Sequence, residues 1–153
     1  MMEKFPQVVD ETEREKVLSY LEERFGIPPK EFDRYEILKG VSNYWLFPKV
    51  EILPKLRFFY IQTVGFLFLR KVSKYYKPTS VFLQRFGYLA TKNIVVLSDE
   101  ELAVLKRDKR LFKNLNIEPG YIILKDKNWI LGCALYVDGK IISHLEPKIL
   151  KCL

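Results

Sequence analysis

Apolar positions near the start of the chain predict an amphipathic helix. Over residues 11–25 they recur at helical spacing, at Val17, Leu18, Leu21 and Phe25. Asp10, followed three residues later by Glu13, is typical of a helix start, and Gly26 is a typical stop. The first element is therefore expected to be a helix that buries one apolar stripe and exposes an acidic remainder.

Runs of aromatic and β-branched residues predict short strands over the next part of the chain. The segments 36–38 and 44–47 have this composition and flank the turn residues of "GVSN". The longer run "RFFYIQTVGFLFLRKV" contains Gly65 near its middle, where a turn or a bulge is expected. We therefore predict two strands within residues 57–72.

Helices and strands then alternate through the second half of the chain. Thr79 or Ser80 can cap a helix over "VFLQRFGYLA", and "NIVVL" predicts a strand. Ser98 and Glu101 form a capping box that opens a helix to about Arg107. Extended structure is expected to follow in "RDKRLF" and in "YIIL". The two halves together predict an α+β protein.

A β-hairpin is the strongest local signal in the chain. Asp138 and Gly139 suit a type I′ turn, which needs positive φ at both central residues. The turn sets the register of the two arms, and the expected pairs are Val137 with Lys140, Tyr136 with Ile141, Leu135 with Ile142, Ala134 with Ser143 and Cys133 with His144. Neither face of the first arm is polar, so it is expected to be a central strand. Gly132 leaves room for another backbone or a ligand to approach.

The expected neighbours Cys133 and His144 are the residues that most resemble a catalytic pair. A thiol beside an imidazole can become a reactive thiolate. Buried cysteine is more commonly structural, and no acidic residue close in sequence is placed to orient the imidazole. The sequence therefore favours a structural thiol over a nucleophile.

Positive charge is concentrated in the middle of the chain. The net charge is +7, and residues 37–92 contain ten basic side chains and one acidic side chain, whereas residues 1–36 contain six and ten. Such asymmetry is typical of a surface that binds a polyanion. A lysine-rich solvated surface is the alternative explanation.

Several classes of protein are disfavoured by what the sequence lacks. The seven glycines are too dispersed for a phosphate-binding loop, and one histidine with two distant cysteines does not make a usual zinc site. Two cysteines give no disulfide framework, and no apolar run is long enough for a membrane span. We expect a cytoplasmic protein with no cofactor, no membrane partner and no enzymatic activity.

The C-terminal third resembles a PUA-like domain, the small RNA-binding barrel named after pseudouridine synthases and archaeosine transglycosylases. The resemblance rests on the strand and capped helix of "NIVVLSDEELAVLKRDKRLF", on "GYIIL", on the Leu-Gly of "WILGCAL", and on the Asp-Gly corner and the closing Pro147-Lys148. The preceding "YIQTVGFLFLRK" and "TSVFLQRFGYLATKN" are similar to segments of the two-domain Nip-seven ribosome-biogenesis proteins. The RNA-binding tails of Sun-type rRNA cytosine-5 methyltransferases are also similar. In "KRDKRL" this chain has charges where many PUA domains have a glycine.

The resemblance implies two domains and an RNA partner. Residues 1–91 would be an N-terminal domain of helices on an antiparallel sheet, and residues 92–153 a PUA-like barrel. The protein would bind structured RNA, such as rRNA or pre-rRNA, in ribosome biogenesis, alone or beside an RNA-modification enzyme such as an rRNA methyltransferase. The methyltransferase motifs themselves are absent from the sequence.

The RNA-binding residues are expected among the clustered lysines and arginines, because folded RNA is bound largely through its phosphates and sugars. The candidates are Arg70, Lys71, Lys74, Arg107, Lys109, Arg110, Lys113, Lys125, Lys127 and Lys148. Trp129 could stack on a base. An aromatic residue that opens a core strand is more often packed inside, and Trp129 is therefore expected in the core.

Two alternatives stay open on the sequence alone. One is an RNA-modifying enzyme that uses Cys133. The other is a protein–protein adaptor that docks a basic partner through the acidic N-terminal helix.

Overall fold

The structure, a computed structural model, describes residues 6–49 and 65–152. The chain divides into two compact units, which are described separately below. The first holds the residues up to Lys77 without Arg24–Gly26, and the second holds Arg24–Gly26 and the chain from Pro78 onwards. Residues 78–91 therefore belong to the second unit. The expected domain boundary after residue 91 stays a prediction.

An antiparallel sheet and one long helix make up most of the first unit. Its elements are β1 (Gln7–Val8), α1 (Glu11–Phe25), a 3₁₀ helix (Pro29–Phe32), β2 (Tyr35–Lys39), β3 (Asn43–Pro48), β4 (Phe66–Val72) and β5 (Tyr75–Pro78). The strand order is β1-β2-β3-β4-β5, and β2 pairs antiparallel with β1 and β3. The predicted helix and the strands at 36–38 and 44–47 are confirmed. The strand predicted in the first part of 57–72 lies outside the described residues.

Helix α1 is held to its unit by polar contacts at one end and apolar packing along its length. The Glu13 amide donates to Asp10 Oδ1 at 2.8 Å, which caps the helix start as predicted. The Arg14 guanidinium donates to the carbonyls of Phe32 and Tyr35, both at 2.8 Å. The predicted apolar stripe is buried. The helix therefore contributes one wall of the core of this unit.

A mixed five-stranded sheet forms the second unit. Its elements are α2 (Ser80–Phe86), a 3₁₀ helix (Gly87–Leu89), β6 (Ile94–Val96), α3 (Asp99–Asp108), β7 (Arg110–Phe112), β8 (Gly120–Lys125), β9 (Ile130–Val137), β10 (Lys140–Ser143) and α4 (Pro147–Cys152). The strand order is β6-β8-β9-β10-β7, with β6 parallel to β8 and the other pairs antiparallel. The fold class α+β is confirmed, whereas closure of this sheet into a PUA-like barrel stays a prediction.

The hairpin β9–β10 has the predicted turn and the predicted register. Asp138 and Gly139 have φ values of 52° and 71°, as a type I′ turn requires. Four of the five expected pairs are paired in the ladder, and the fifth is marked by the His144 amide, which donates to the Cys133 carbonyl at 3.3 Å. Strand β9 is central, between β8 and β10.

Side-chain caps start both of the longer helices of this unit. Thr79 Oγ1 accepts from the Phe82 amide at 3.1 Å, which identifies Thr79 as the cap of α2. The Ser98 and Glu101 side chains each bond the other's backbone amide at 3.1 Å, so the predicted capping box is confirmed. Helix α3 ends at Lys109, which has a left-handed φ of 59°.

Candidate nucleic-acid interface

Three of the candidate RNA-binding residues lie in the first unit, on β4 and the turn that follows it. Arg70, Lys71 and Lys74 are exposed. Arg70 and Lys71 are consecutive in a strand, so their side chains project toward opposite faces of the sheet. The Lys74 ammonium lies 5.4 Å from the centre of the Tyr75 ring. The three residues share a hairpin end rather than one face.

Three further candidates, in the second unit, are ion-paired with acidic neighbours. Arg107 Nε lies 3.0 Å from Asp108, Lys113 Nζ 2.6 Å from Glu101 and Lys148 Nζ 3.2 Å from Glu146. The hydrogen bond from Lys113 lowers the pKa of Glu101, and the bond from Arg107 lowers the pKa of Asp108. A phosphate would have to compete with these carboxylates, so the three cations are the weaker candidates.

Two other candidates, Lys109 and Arg110, lie together with a cation that the sequence analysis missed, Lys140. The three line a hollow of about 340 Å³ with Asp108 and Ile142, named here the basic hollow. Lys109 and Arg110 are exposed, and in the described part of the chain neither has an ion-pair partner within 4.0 Å. Three cations and one acid thus line the hollow. The acid, Asp108, already accepts a hydrogen bond from Arg107.

The end of α3 and the edge of the sheet build the basic hollow. The Lys109 amide donates to Leu105 at 2.8 Å and closes the helix, while the Lys109 carbonyl accepts from the Ser143 amide at 2.9 Å. Strand β7 then pairs with β10, and Arg110 lies opposite Ile142. The left-handed turn at Lys109 therefore carries the chain directly from the helix into the sheet beside Ile142, and Lys140 lies opposite Phe112 on the same strand pair.

Of the last two candidates, Lys125 is the final residue of β8 and Lys127 lies in the tight turn between β8 and β9. Asp126 Oδ1 accepts from the amides of Asn128 and Trp129, at 2.8 and 2.6 Å, and the Asp126 amide donates to the Trp129 carbonyl at 3.0 Å. These three bonds fix the backbone of the turn.

Trp129 is 71% exposed, so the prediction that it packs in the core was wrong. The turn held by Asp126 includes Trp129, and the strand begins only at the next residue, Ile130. Trp129 therefore occupies a turn position rather than the first position of a core strand. Its sequence gave one signal of this, since an Asp two residues before Asn128 favours an Asx turn.

Trp129 and Tyr88, which is 75% exposed, line one cleft of about 620 Å³. Lys125, Gln84, Asn128 and Ile130 also line it, and this space is named here the aromatic cleft. Of the described residues that line it, the charged one is Lys125. Tyr88 and Gln84 were not predicted, because only the packing of α2 and its 3₁₀ turn beside β9 brings them to this place.

Cys133 is a poor candidate for a nucleophile. Cys133 is 1% exposed and lies in β9, the central strand of the sheet. The ring of Tyr121 lies edge-on to the His144 ring, with 5.9 Å between centroids, and burial raises the pKa of Tyr121. A reactive thiolate needs access and an electropositive setting. The burial of the thiol therefore supports a structural role.

Across residues 6–49 and 65–152, no group of three or more His, Cys, Asp and Glu side chains could hold a metal ion. Within the same residues, no helix is both long enough and apolar enough to cross a membrane. No protein-family model matches the chain, and no curated protein is significantly similar to it.

Proposed function

We propose that this protein is a non-catalytic RNA-binding factor of rRNA maturation or modification, and that its second unit is a PUA-like domain. The observation that carries the proposal is the basic hollow, where Lys109, Arg110 and Lys140 converge. Cations grouped around a concave surface are suited to the phosphates of a folded polyanion.

The local charge balance of the hollow supports this assignment. Asp108 is its acidic member, and the Arg107 guanidinium donates to both of its carboxylate oxygens, at 3.0 and 3.1 Å. The hydrogen bond from Arg107 and, less strongly, the charge of Arg110 lower the pKa of Asp108, and cations outnumber the one acid among the residues that line the hollow. Structured RNA presents closely spaced phosphates across its grooves, which is the arrangement that such a cluster can neutralise.

The choice of rRNA as the RNA comes from the resemblance of the sequence to ribosome-biogenesis proteins. The protein would hold the RNA while a separate enzyme, such as an rRNA methyltransferase, modifies it. Crosslinking in cells, followed by sequencing of the attached RNA, tests this part directly. Enrichment of pre-rRNA is expected, and a messenger or transfer RNA profile would contradict the rRNA assignment while leaving RNA binding in place.

The double variant Lys109→Glu/Arg110→Glu tests the hollow itself. We expect it to lose at least about tenfold in affinity for a structured RNA and to lower the log–log salt slope by about two. The measurement is equilibrium binding to a fluorescent RNA hairpin at several salt concentrations, with circular dichroism to confirm the fold.

The matched control is Lys16→Glu/Lys30→Glu, which makes the same change in net charge at exposed positions of the first unit. We expect this control to lose less than about threefold, because neither lysine lines the basic hollow and exposed charges outside a contact site are screened by salt. Equal losses in both variants would refute a local site. A stable protein complex that resists nuclease, with no RNA affinity in the pure protein, would favour the adaptor instead.

A further inference from the structure

We infer that the aromatic cleft receives one unpaired nucleobase of the bound RNA, stacked on Trp129 and Tyr88, with the adjoining phosphate near Lys125. The inference rests on the proposed function and adds a second contact of a different kind. The basic hollow neutralises phosphates, which every RNA has. The aromatic cleft would select RNA with a base free to leave its helix.

The first support is the exposure of two large rings on one cleft. Trp129 and Tyr88 are 71% and 75% exposed. Burial of an aromatic ring away from water is favourable. Two such rings exposed on one cleft therefore indicate a surface that a partner covers. Of the described residues that line the basic hollow, none is aromatic. The two surfaces therefore differ in chemistry.

The second support is that both rings are mounted on a fixed frame. Three hydrogen bonds of Asp126 hold the backbone that carries Trp129. Tyr88 follows Gly87, which lies so close to Ile130 that an added Cβ would be 2.7 Å from Ile130 Cδ1. Ile130 is in turn the neighbour of Trp129. The close approach at Gly87 thus joins the two ring-bearing segments, and a base would lose little free energy in ordering them.

The third support is the polar lining of the cleft, which can bond the edge of a base. Gln84 Nε2 donates to the Leu131 carbonyl at 3.4 Å, so the amide is oriented, and Asn128 offers a second donor and acceptor. Amides of this kind bond the edges of bases, and stacking on aromatic rings is the general way in which proteins hold unpaired bases. Lys125 supplies the cation for the phosphate. The volume of about 620 Å³ is typical of a small-ligand site.

The experiment compares two RNA hairpins, one fully paired and one with a single bulged nucleotide, against two substitutions of Trp129. Trp129→Leu keeps an apolar side chain but removes the ring, whereas Trp129→Phe keeps a ring. We expect Trp129→Leu to lower affinity for the bulged hairpin about tenfold and to change affinity for the paired hairpin less than about twofold. Trp129→Phe should recover most of the loss.

A direct readout comes from 2-aminopurine placed at the bulge. Stacking on the cleft should quench its fluorescence with the wild-type protein and with Trp129→Phe, and should fail to do so with Trp129→Leu. Because Trp129 is exposed, both variants are expected to keep the wild-type circular dichroism spectrum and melting temperature.

The outcomes separate this inference from the proposed function. If the wild-type protein binds neither hairpin, the proposed function fails, and the inference fails with it. If Lys109→Glu/Arg110→Glu weakens both hairpins while Trp129→Leu changes neither, RNA binding stands and the base site is refuted. Equal weakening of both hairpins by Trp129→Leu also refutes it. A protein complex lost in Trp129→Leu, with RNA binding intact, would assign the cleft to a polypeptide partner instead.

Discussion

Replacement of Gly132 by alanine should destabilise the second unit strongly, for two reasons that can be separated. Gly132 has φ +151°, a conformation that residues with a side chain rarely adopt. An added Cβ would also lie 3.0 Å from Leu145 Cδ2 and 3.0 Å from Ser80 Oγ. Both neighbours are buried, so neither can move into open solvent.

The expected size of the effect follows from these two contributions. Backbone strain at such a φ costs about 1–3 kcal/mol. Crowding of a packed interior by one methyl group adds about 1–3 kcal/mol. The alanine also lowers the conformational entropy of the unfolded chain, which offsets about 0.4–1 kcal/mol of the destabilisation. We therefore expect Gly132→Ala to lower the free energy of unfolding by about 1–5 kcal/mol.

Two other glycines of the same unit serve as matched controls. Gly139 has φ +71° with no atom within 4 Å of an added Cβ, so Gly139→Ala tests strain without crowding and should cost about 1 kcal/mol. Gly87 has φ −63° and a contact of 2.7 Å to the flexible end of Ile130, so Gly87→Ala tests crowding without strain and should change stability by less than about 1 kcal/mol.

The assay is chemical unfolding followed by circular dichroism for the wild type and the three alanine variants. The order of destabilisation expected is Gly132 first, Gly139 second and Gly87 last. If Gly132→Ala and Gly139→Ala cost the same, the packing of Ser80 and Leu145 around Gly132 contributes nothing, and the reasoning is wrong.

Two smaller predictions concern polar contacts of the second unit. The buried Tyr136 hydroxyl donates to the Leu115 carbonyl and accepts from its amide, both at 3.0 Å, so Tyr136→Phe should cost about 1–3 kcal/mol in the same unfolding assay, and a loss below a few tenths would contradict the contact. The pKa of Glu101 is lowered from 4.5, chiefly by Lys113, so the pair stabilises the fold above pH 4.5 and the contribution is lost as the pH falls below that value. Lys113→Met should therefore cost about 0.2–1 kcal/mol at pH 7 and less at pH 3, and an equal cost at both pH values would refute the ion pair.

Local signals in the sequence predicted the elements that local chemistry controls. Asp138 and Gly139 determined both the turn and the register of β9 and β10. Aspartate tolerates positive φ and glycine, which has no Cβ, adopts it freely, so the pair suits a type I′ turn. The capping residues of α1 and α3 acted in the same way. These features depend on neighbours within a few residues, and a single sequence contains all of them.

Elements that depend on distant partners were not predicted. Strand β1 is two residues long and pairs with β2, and β5 follows a turn with positive φ at Ser73. Helix α4 has six residues, and no pattern in the sequence predicts it. Gly132 was expected to admit a backbone or a ligand, and the structure places the Ser80 and Leu145 side chains there. Each of these outcomes is set by which segment packs alongside, and spacing along the chain does not contain that information.

The candidate site could also be predicted only in part: the sequence shows which residues are charged, and the structure shows which of them lie together. Composition identified Lys109 and Arg110, but Lys140 joined them only through the pairing of β7 with β10. Composition also identified Arg107, Lys113 and Lys148. In the described part of the chain, ion pairs distinguish these three from the other candidate cations. Side-chain type therefore limited the candidates, and their neighbours, adjacent in sequence for Arg107 and more distant for Lys113, decided which cations are paired with an acid.

The two surfaces of the second unit lie toward different parts of its sheet. The basic hollow is built on β7, an outer strand, and the aromatic cleft on β6 and the turn between β8 and β9. On the proposed function, a folded RNA is the ligand that would contact both surfaces. Coulombic attraction at the hollow weakens with salt, whereas stacking at the cleft depends on a base being free. On the proposed function, an RNA that satisfies both surfaces offers phosphates to the hollow and an unpaired base to the cleft, and a bulge or an internal loop in a helix supplies both.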